Sequence, residues 1–359
     1  MNLLRPILAL AGVVLLATSA AAQISLMPPA AQAPSNKPAA KNEAPRPSKE
    51  TSKAPVVAKK PAPAPKGAAT PTPAPAPVFE DPNVDLVYGA YQRGMYKTAF
   101  DLATARAQYA RDPKAMTMLG ELYANAMGVK RDYAKAAEWY QRAVDGGDRE
   151  AMFALAMMRL SGRGGPVNRE EAVKLLASSA KLGNPKAAYN LALLYLDGQT
   201  LPQDLKRSAE LLRVAADAGN AEAQYALATF YKEGTGVPKD TDKAVRLLQA
   251  ASLADNVDAE VEYAIAMYNG TGTPKNQAAA VALLRKAARQ NSPIAQNRLA
   301  RVLVNGPGAS MDKIEGLKWH IIAKTAGKGD LELDEALASL SAQDRAKVEE
   351  AARKWIGNK

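Results

Sequence analysis

At 359 residues the chain has room for two or three domains, and its lack of any cysteine excludes disulfides and thiolate chemistry. One histidine without cysteine leaves no ligand set for zinc or haem, so neither a metal nor a cofactor is expected. The net charge of +11 resembles a nucleic-acid footprint until it is divided by region. Arg5 carries one, residues 23–78 a net six (eight Lys/Arg against Glu43 and Glu50), and four remain for everything else. The basicity belongs to one segment, which also lacks interleaved aromatics, and no nucleic-acid partner is expected.

Residues 1–22 open with Arg5, continue as an apolar run from Ile7 to Ala17, and end in Ser19, Ala20, Ala21 and Ala22. That pattern predicts a secretory signal cut after Ala22, with an uncleaved anchor as the alternative reading. The run is short for a membrane span, which needs about 20 apolar residues, so none is expected after cleavage. Residues 23–78 are Pro, Ala and Lys with almost nothing to bury, which predicts a disordered linker. Two uses stay open for it: a spacer crossing a layer such as a cell wall, or a plain solubilising linker. Its charge predicts weak, salt-sensitive contact with anionic envelope polymers.

From Asp112 to Gly327 the sequence repeats six times with a period of 36. The units start at Asp112, Asp148, Asn184, Asn220, Asn256 and Ser292, all residues whose side chains can accept from the orphan N–H groups of a first helical turn. An unbroken small column follows (Ala115, Ala151, Ala187, Ala223, Ala259, Ala295), then a mostly leucine column at Leu119, Leu155, Leu191, Leu227, Tyr263 and Leu299. Small residues let backbones approach while the large neighbour fills the groove, so each unit opens with a helix, stopped at Ala126, Gly162, Gly198, Gly234, Gly270 and Gly306. A second capping column (Asp132, Asn168, Asp204, Asp240, Asn276, Asp312) starts a second helix, whose buried face is expected at Trp139, Leu175, Leu211, Leu247, Leu283 and Trp319. No pair can bury its stripe alone, so the pairs must stack. Residues 79–111 and 328–359 read as helical caps on the two ends.

The unit A-x-x-x-L-G-x-x-Y-x-x-(G/A)-x-G-V-x-x-D-x-x-K-A-x-x-W-x-x-x-A-x-x-x-G resembles the Sel-one-like repeat, a relative of the tetratricopeptide repeat. It stands nearly complete in Ala115, Leu119, Gly120, Tyr123, Gly128, Val129, Asp132, Lys135, Ala136, Trp139, Ala143 and Gly147. Arg159 and Leu303 depart from it in the Tyr column, and Thr200 and Thr273 in the loops. The resemblance covers residues 112–327 and implies an all-α, right-handed α/α solenoid that works as a non-enzymatic adaptor. With its signal, the chain looks like exported, periplasmic or secreted proteins of Gram-negative, alphaproteobacterial cells.

In tetratricopeptide relatives the first helix of each pair lines a concave face. That resemblance places one inward column at Thr117, Phe153, Tyr189, Tyr225, Val261 and Asn297, and a second at Asn125, Ser161, Asp197, Glu233, Asn269 and Asn305. Phe153, Tyr189 and Tyr225 could form a ladder that grips an extended peptide, or could pack under the next repeat. The asparagines could bond a peptide backbone. The expected partner is therefore a protein or peptide of the envelope, with a signalling or assembly complex as its setting; a cell-wall-binding role is the alternative. Ser178 and Lys181 match the S-x-x-K pair of penicillin-recognising enzymes, but S-D-N and K-T-G are missing and Ser179 occupies a column otherwise filled by Ala. His320 has no Ser/Asp pair or metal ligands around it in sequence, so a packed or half-exposed role is expected.

Overall fold

The computed structural model describes residues 85–306 and 311–357, and among these it holds sixteen α-helices and no strand. The signal segment 1–22 and the linker 23–78 lie outside the described residues. A short pair, α1 (Leu86–Gln92) and α2 (Tyr96–Tyr109), leads. Six pairs follow: α3 (Pro113–Asn125) with α4 (Tyr133–Asp145), α5 (Arg149–Ser161) with α6 (Arg169–Lys181), α7 (Pro185–Asp197) with α8 (Leu205–Asp217), α9 (Ala221–Glu233) with α10 (Thr241–Leu253), α11 (Val257–Asn269) with α12 (Gln277–Arg289), and α13 (Pro293–Asn305) with α14 (Lys313–Thr325). Helices α15 (Leu331–Ala338) and α16 (Ala342–Gly357) follow the sixth pair. The substantial packings join helices adjacent or next-but-one in sequence, so the six pairs form a solenoid held by nearest-neighbour interfaces.

The period has a local cause. Each of the twelve repeat helices is 13 residues long and starts at an Asp, Asn or Ser whose side chain accepts from a backbone N–H in the first turn. Some caps also tie units together. Asp148 Oδ1 accepts from Ala151 N at 2.7 Å and from the Thr117 hydroxyl of the preceding unit at 2.9 Å. Asn184 Nδ2 donates to Glu150 Oε2 at 2.9 Å.

The core differs from the expected one by one position on the second helices. Trp139, Leu175, Leu211, Leu247 and Leu283 are only half-buried, and Trp319 alone of that column is fully enclosed. The enclosed column is the next one: Tyr140, Leu176, Leu212, Leu248, Leu284 and His320. The cause is that a second helix is covered from two sides, by its partner and by the next unit. The angular centre of burial therefore lies between the two contacts rather than on the largest residue. His320 thus stands in a leucine column, fully buried, with Nε2 2.8 Å from Asp334 Oδ1 on α15. Lys324 Nζ shares that oxygen at 2.7 Å, and together they hold the Asp334 carboxyl below its ordinary range.

One departure in the Tyr column is compensated within its unit. Where Tyr123, Tyr195 and Tyr231 stand, the second helix places Lys135, Arg207 and Lys243 over the ring at 5.5, 5.1 and 5.3 Å. In the second unit the polarity is exchanged: Arg159 occupies the Tyr position, Glu171 the cation position, and Arg159 Nε donates to Glu171 Oε2 at 2.9 Å.

First helices stop in the left-handed conformation at Ala126, Gly162, Gly198, Gly234 and Gly270, as expected. Gly306 does not, having φ −82 and ψ 134. What requires glycine there is space, since a Cβ would fall 2.6 Å from Val302 O and 2.7 Å from Tyr268 Oη. Thr200 replaces a loop glycine without entering the left-handed region. Leu201 beside it packs into the core shared by α5 to α7, and Gln203 Nε2 donates to Leu196 O at 2.8 Å.

Candidate functional site

Positions i, i+4, i+7 and i+11 share one face of a helix. On the first helices this spacing links the third, seventh, tenth and fourteenth positions of each unit, with the third and fourteenth the most open. One edge carries Lys114, Glu150, Lys186, Glu222, Asp258 and Ile294. The other carries Asn125, Ser161, Asp197, Glu233, Asn269 and Asn305, the second of the two expected columns, and every member of it is exposed or half-exposed.

The first expected column lies off this stripe, toward the following unit. Thr117 is buried against the Asp148 cap, and Val261 is buried as well. Phe153, 6% exposed, sits among Ala156, Leu176, Ala187 and Leu191, in the seam between the second and third units. Of the two readings left open for it, packing under the next repeat is the one the structure displays. Tyr189 and Tyr225 occupy the corresponding seams one and two units further on but stay half-buried. Burial, with Glu222 nearby, pushes the Tyr189 hydroxyl up to about 12; burial, with Asp258, Glu262 and Glu233 nearby, does the same for Tyr225. Each phenol therefore stays protonated, one end in the seam and the other beside carboxylates. Glu262 also takes Lys232 Nζ at 2.8 Å. Asn297 is half-buried, its Nδ2 3.4 Å from Asp330 Oδ2.

Two features escaped the sequence reading. Glu121 stands at a tenth position otherwise held by Met157, Leu193, Thr229, Ile265 and Arg301, and is 2% exposed. Its carboxylate accepts from Tyr140 Oη at 3.1 Å and from Asn125 Nδ2 at 2.7 Å, so Asn125 is committed to an internal carboxylate. Burial outweighs those hydrogen bonds and raises the Glu121 carboxyl to about 7. The signal was visible as one acid in a mainly apolar column. The second feature is a cavity of about 690 Å³ at the last unit, walled by α13 and the start of α15.

The S-x-x-K pair is not assembled as a nucleophile. Ser179 is fully buried with Oγ donating to Arg149 O at 2.7 Å, while Ser178 and Lys181 are exposed on the helix surface, where the ammonium stays hydrated. Among the described residues no cluster of His, Asp or Glu could hold a metal ion, and no helix is long and apolar enough to cross a membrane.

A tandem array of capped helix pairs carrying an open stripe on its first helices defines an α-solenoid repeat protein. The Sel1 repeat matches six times in succession, at residues 113–148, 149–184, 185–220, 221–256, 257–292 and 293–328, and the chain belongs to the Sel1 repeat family. Among solved structures it is similar to a protective antigen present in uropathogenic Escherichia coli strains displaying an SLR fold, with 25% identity and a TM-score of 0.65. That match covers 76% of this chain and 59% of the antigen, so the chain spans about three fifths of the antigen's length. It is also similar to a Sel1 repeat protein from Oxalobacter formigenes, with 25% identity, a TM-score of 0.60, and coverage of 67% of this chain and 98% of that one. No curated protein matched the sequence. Sel1 repeat proteins generally mediate protein–protein interactions.

Proposed function

We propose that this protein is a non-enzymatic scaffold of the periplasm that binds a protein or peptide along the open stripe of its first helices and brings it to an envelope signalling or assembly complex. The observation that carries this reading is the open stripe on the first helices. Beyond Asn125, which Glu121 engages, the first helices keep a polar edge (Ser161, Asp197, Glu233, Asn269, Asn305) beside half-buried Tyr189 and Tyr225. Rigid amphipathic rings flanked by amide and carboxylate groups are the side chains that hold an extended peptide, through stacking, backbone hydrogen bonds and contact with cations. The signal-like residues 1–22 support the compartment.

A photo-crosslinking residue placed at Glu233 or Asn269 in the full chain, and activated in intact cells, is expected to give a discrete adduct in the envelope fraction. The same residue at Leu253, an exposed position at the end of α10, is expected to give none. Adducts from Leu253 alone, or none from the stripe, would overturn the reading. The net charge of six on residues 23–78 favours a second reading, association with the cell wall or another envelope polyanion. Retention on purified sacculi that disappears when residues 23–78 are deleted, with the stripe adducts lost as well, would favour it over the first. The non-enzymatic part has its own check. Incubation with a fluorescent penicillin is expected to leave Ser178 and Ser179 unlabelled; stoichiometric acylation of either would overturn it.

A further inference from the structure

The tenth and seventh columns change character at the last unit. Along the array the tenth reads Glu121, Met157, Leu193, Thr229, Ile265 and then Arg301; the seventh reads Met118, Ala154, Asn190, Ala226, Glu262 and then Arg298. Ile294 simultaneously replaces the charged or polar residue of the third column. All three line the cavity of about 690 Å³, whose far wall is Lys328 and the start of α15, with Leu331 82% exposed. The cavity is an open cleft, with a volume inside the range of small-molecule sites.

The charges inside are unequally committed. Asp330, its side chain almost fully buried, is held by Arg301 Nε, with Asn297 Nδ2 at 3.4 Å, and it also caps α15. That pair is internal. Arg298 and Lys328 form no ion pair among the described residues, and the remaining carboxylate of the lining, Glu332, is exposed at the rim. The cavity therefore presents two uncommitted cations next to two uncovered apolar side chains, Ile294 and Leu331. A guanidinium with a free fork matches a planar carboxylate in bidentate geometry, and apolar surface left open beside it calls for an apolar side chain on the same ligand.

We propose that this cavity captures the C-terminal end of a partner polypeptide, Arg298 and Lys328 taking its terminal carboxylate while Ile294 and Leu331 pack against its apolar last residue. The proposal deepens the peptide-binding reading and rests on it. The stripe reaches this cavity through Arg298 and Arg301, both of which line it, so a bound chain would run along the units and finish here.

The test selects phage displaying random heptapeptides with free C-termini on the full-length protein, then measures chosen peptides by fluorescence anisotropy in acid and C-terminal amide forms. Enrichment of apolar final residues is expected, with binding at least about tenfold weaker for the amide and for the Arg298→Ala and Lys328→Ala proteins. About tenfold is the loss of one charge-assisted contact. Both side chains are exposed and unpaired, so the variants are expected to retain the wild-type circular dichroism spectrum and melting curve. Enriched peptides that bind equally well as amides would overturn the carboxylate site while leaving the stripe reading standing. Selection of peptides rich in internal Asp and Glu, indifferent to amidation, would replace it with a general anion-binding surface. Failure of both selection and stripe crosslinking would sink the two readings together.

Discussion

Replacing Glu121 by Gln is expected to change stability little at pH 4 and to raise it by up to about 3 kcal/mol at pH 8. The size follows from burial: the carboxyl rises from 4.5 to about 7 in the folded chain, and each tenfold change in proton affinity corresponds to about 1.4 kcal/mol. The sign follows from proton counting. Between about 4.5 and 7 the folded state holds a proton that the unfolded state has released, so stability falls as pH rises across that window. Above about 7 the folded chain carries a buried carboxylate against the full cost of desolvation. A glutamine keeps an acceptor for Tyr140 Oη and, with the amide of Asn125 turned, a partner there too, but never ionises. The gain should be local, because stability in a stacked array is a sum over neighbouring units. Hydrogen exchange of the α3 and α4 amides at pH 5.5 and pH 8 provides the measurement, with α11 and α12 as internal reference. An equal effect of the substitution at both pH values, or a loss at pH 8, would remove the buried carboxylate from the account.

Most of the scaffold was legible because it is written in repeated local chemistry. Twelve side-chain caps at a spacing of 36 locate twelve helix starts without reference to tertiary contacts, and the small and leucine columns of the first helix mark its buried side. What was misread depends on angles between elements. The second-helix core lies one residue beyond the Trp139 to Trp319 column because two neighbours cover it at once. The same one-residue rotation explains the site. The column through Phe153 was placed inward by analogy, yet Thr117 Oγ1 bonding the Asp148 of the next unit shows that this position faces the seam. Glu121 and Arg298 were passed over for a different reason. Each departs from its column, and attention to what the units share hides what one unit does differently. The Thr200 loop teaches the converse lesson, since a missing glycine did not break the period but was absorbed by Leu201 and Gln203.

Substituting Gly236 by Ala is expected to cost about 2–5 kcal/mol, against about 1 kcal/mol for Gly234→Ala two residues away. Both glycines are left-handed, at φ +65 and +78, so both variants incur the same clash between Cβ and the local backbone, partly offset by the stiffer unfolded chain. They differ in what lies opposite. A Cβ at Gly234 would meet nothing nearer than Lys239 at 3.5 Å, an ordinary contact. A Cβ at Gly236 would lie 2.3 Å from the carbonyl oxygen of Leu205, the first residue of α8 in the preceding unit, and 2.6 Å from its carbonyl carbon. Backbone cannot rotate away as a lysine tip can, so the loop and α8 must separate. The interface between the third and fourth units then opens along with the packing of Leu212 and Leu227 near it. Asparagine separates conformation from space, because it tolerates the left-handed region yet carries a Cβ. Gly234→Asn should be nearly neutral, whereas Gly236→Asn should be almost as damaging as Gly236→Ala. Denaturant titrations of the four variants give the ranking, and faster hydrogen exchange confined to α8 and α9 would locate the damage. Equal losses at 234 and 236 would mean that the repeat loops need glycine only for its backbone freedom, and that the close approach of each loop to the unit before it plays no part in holding the array together.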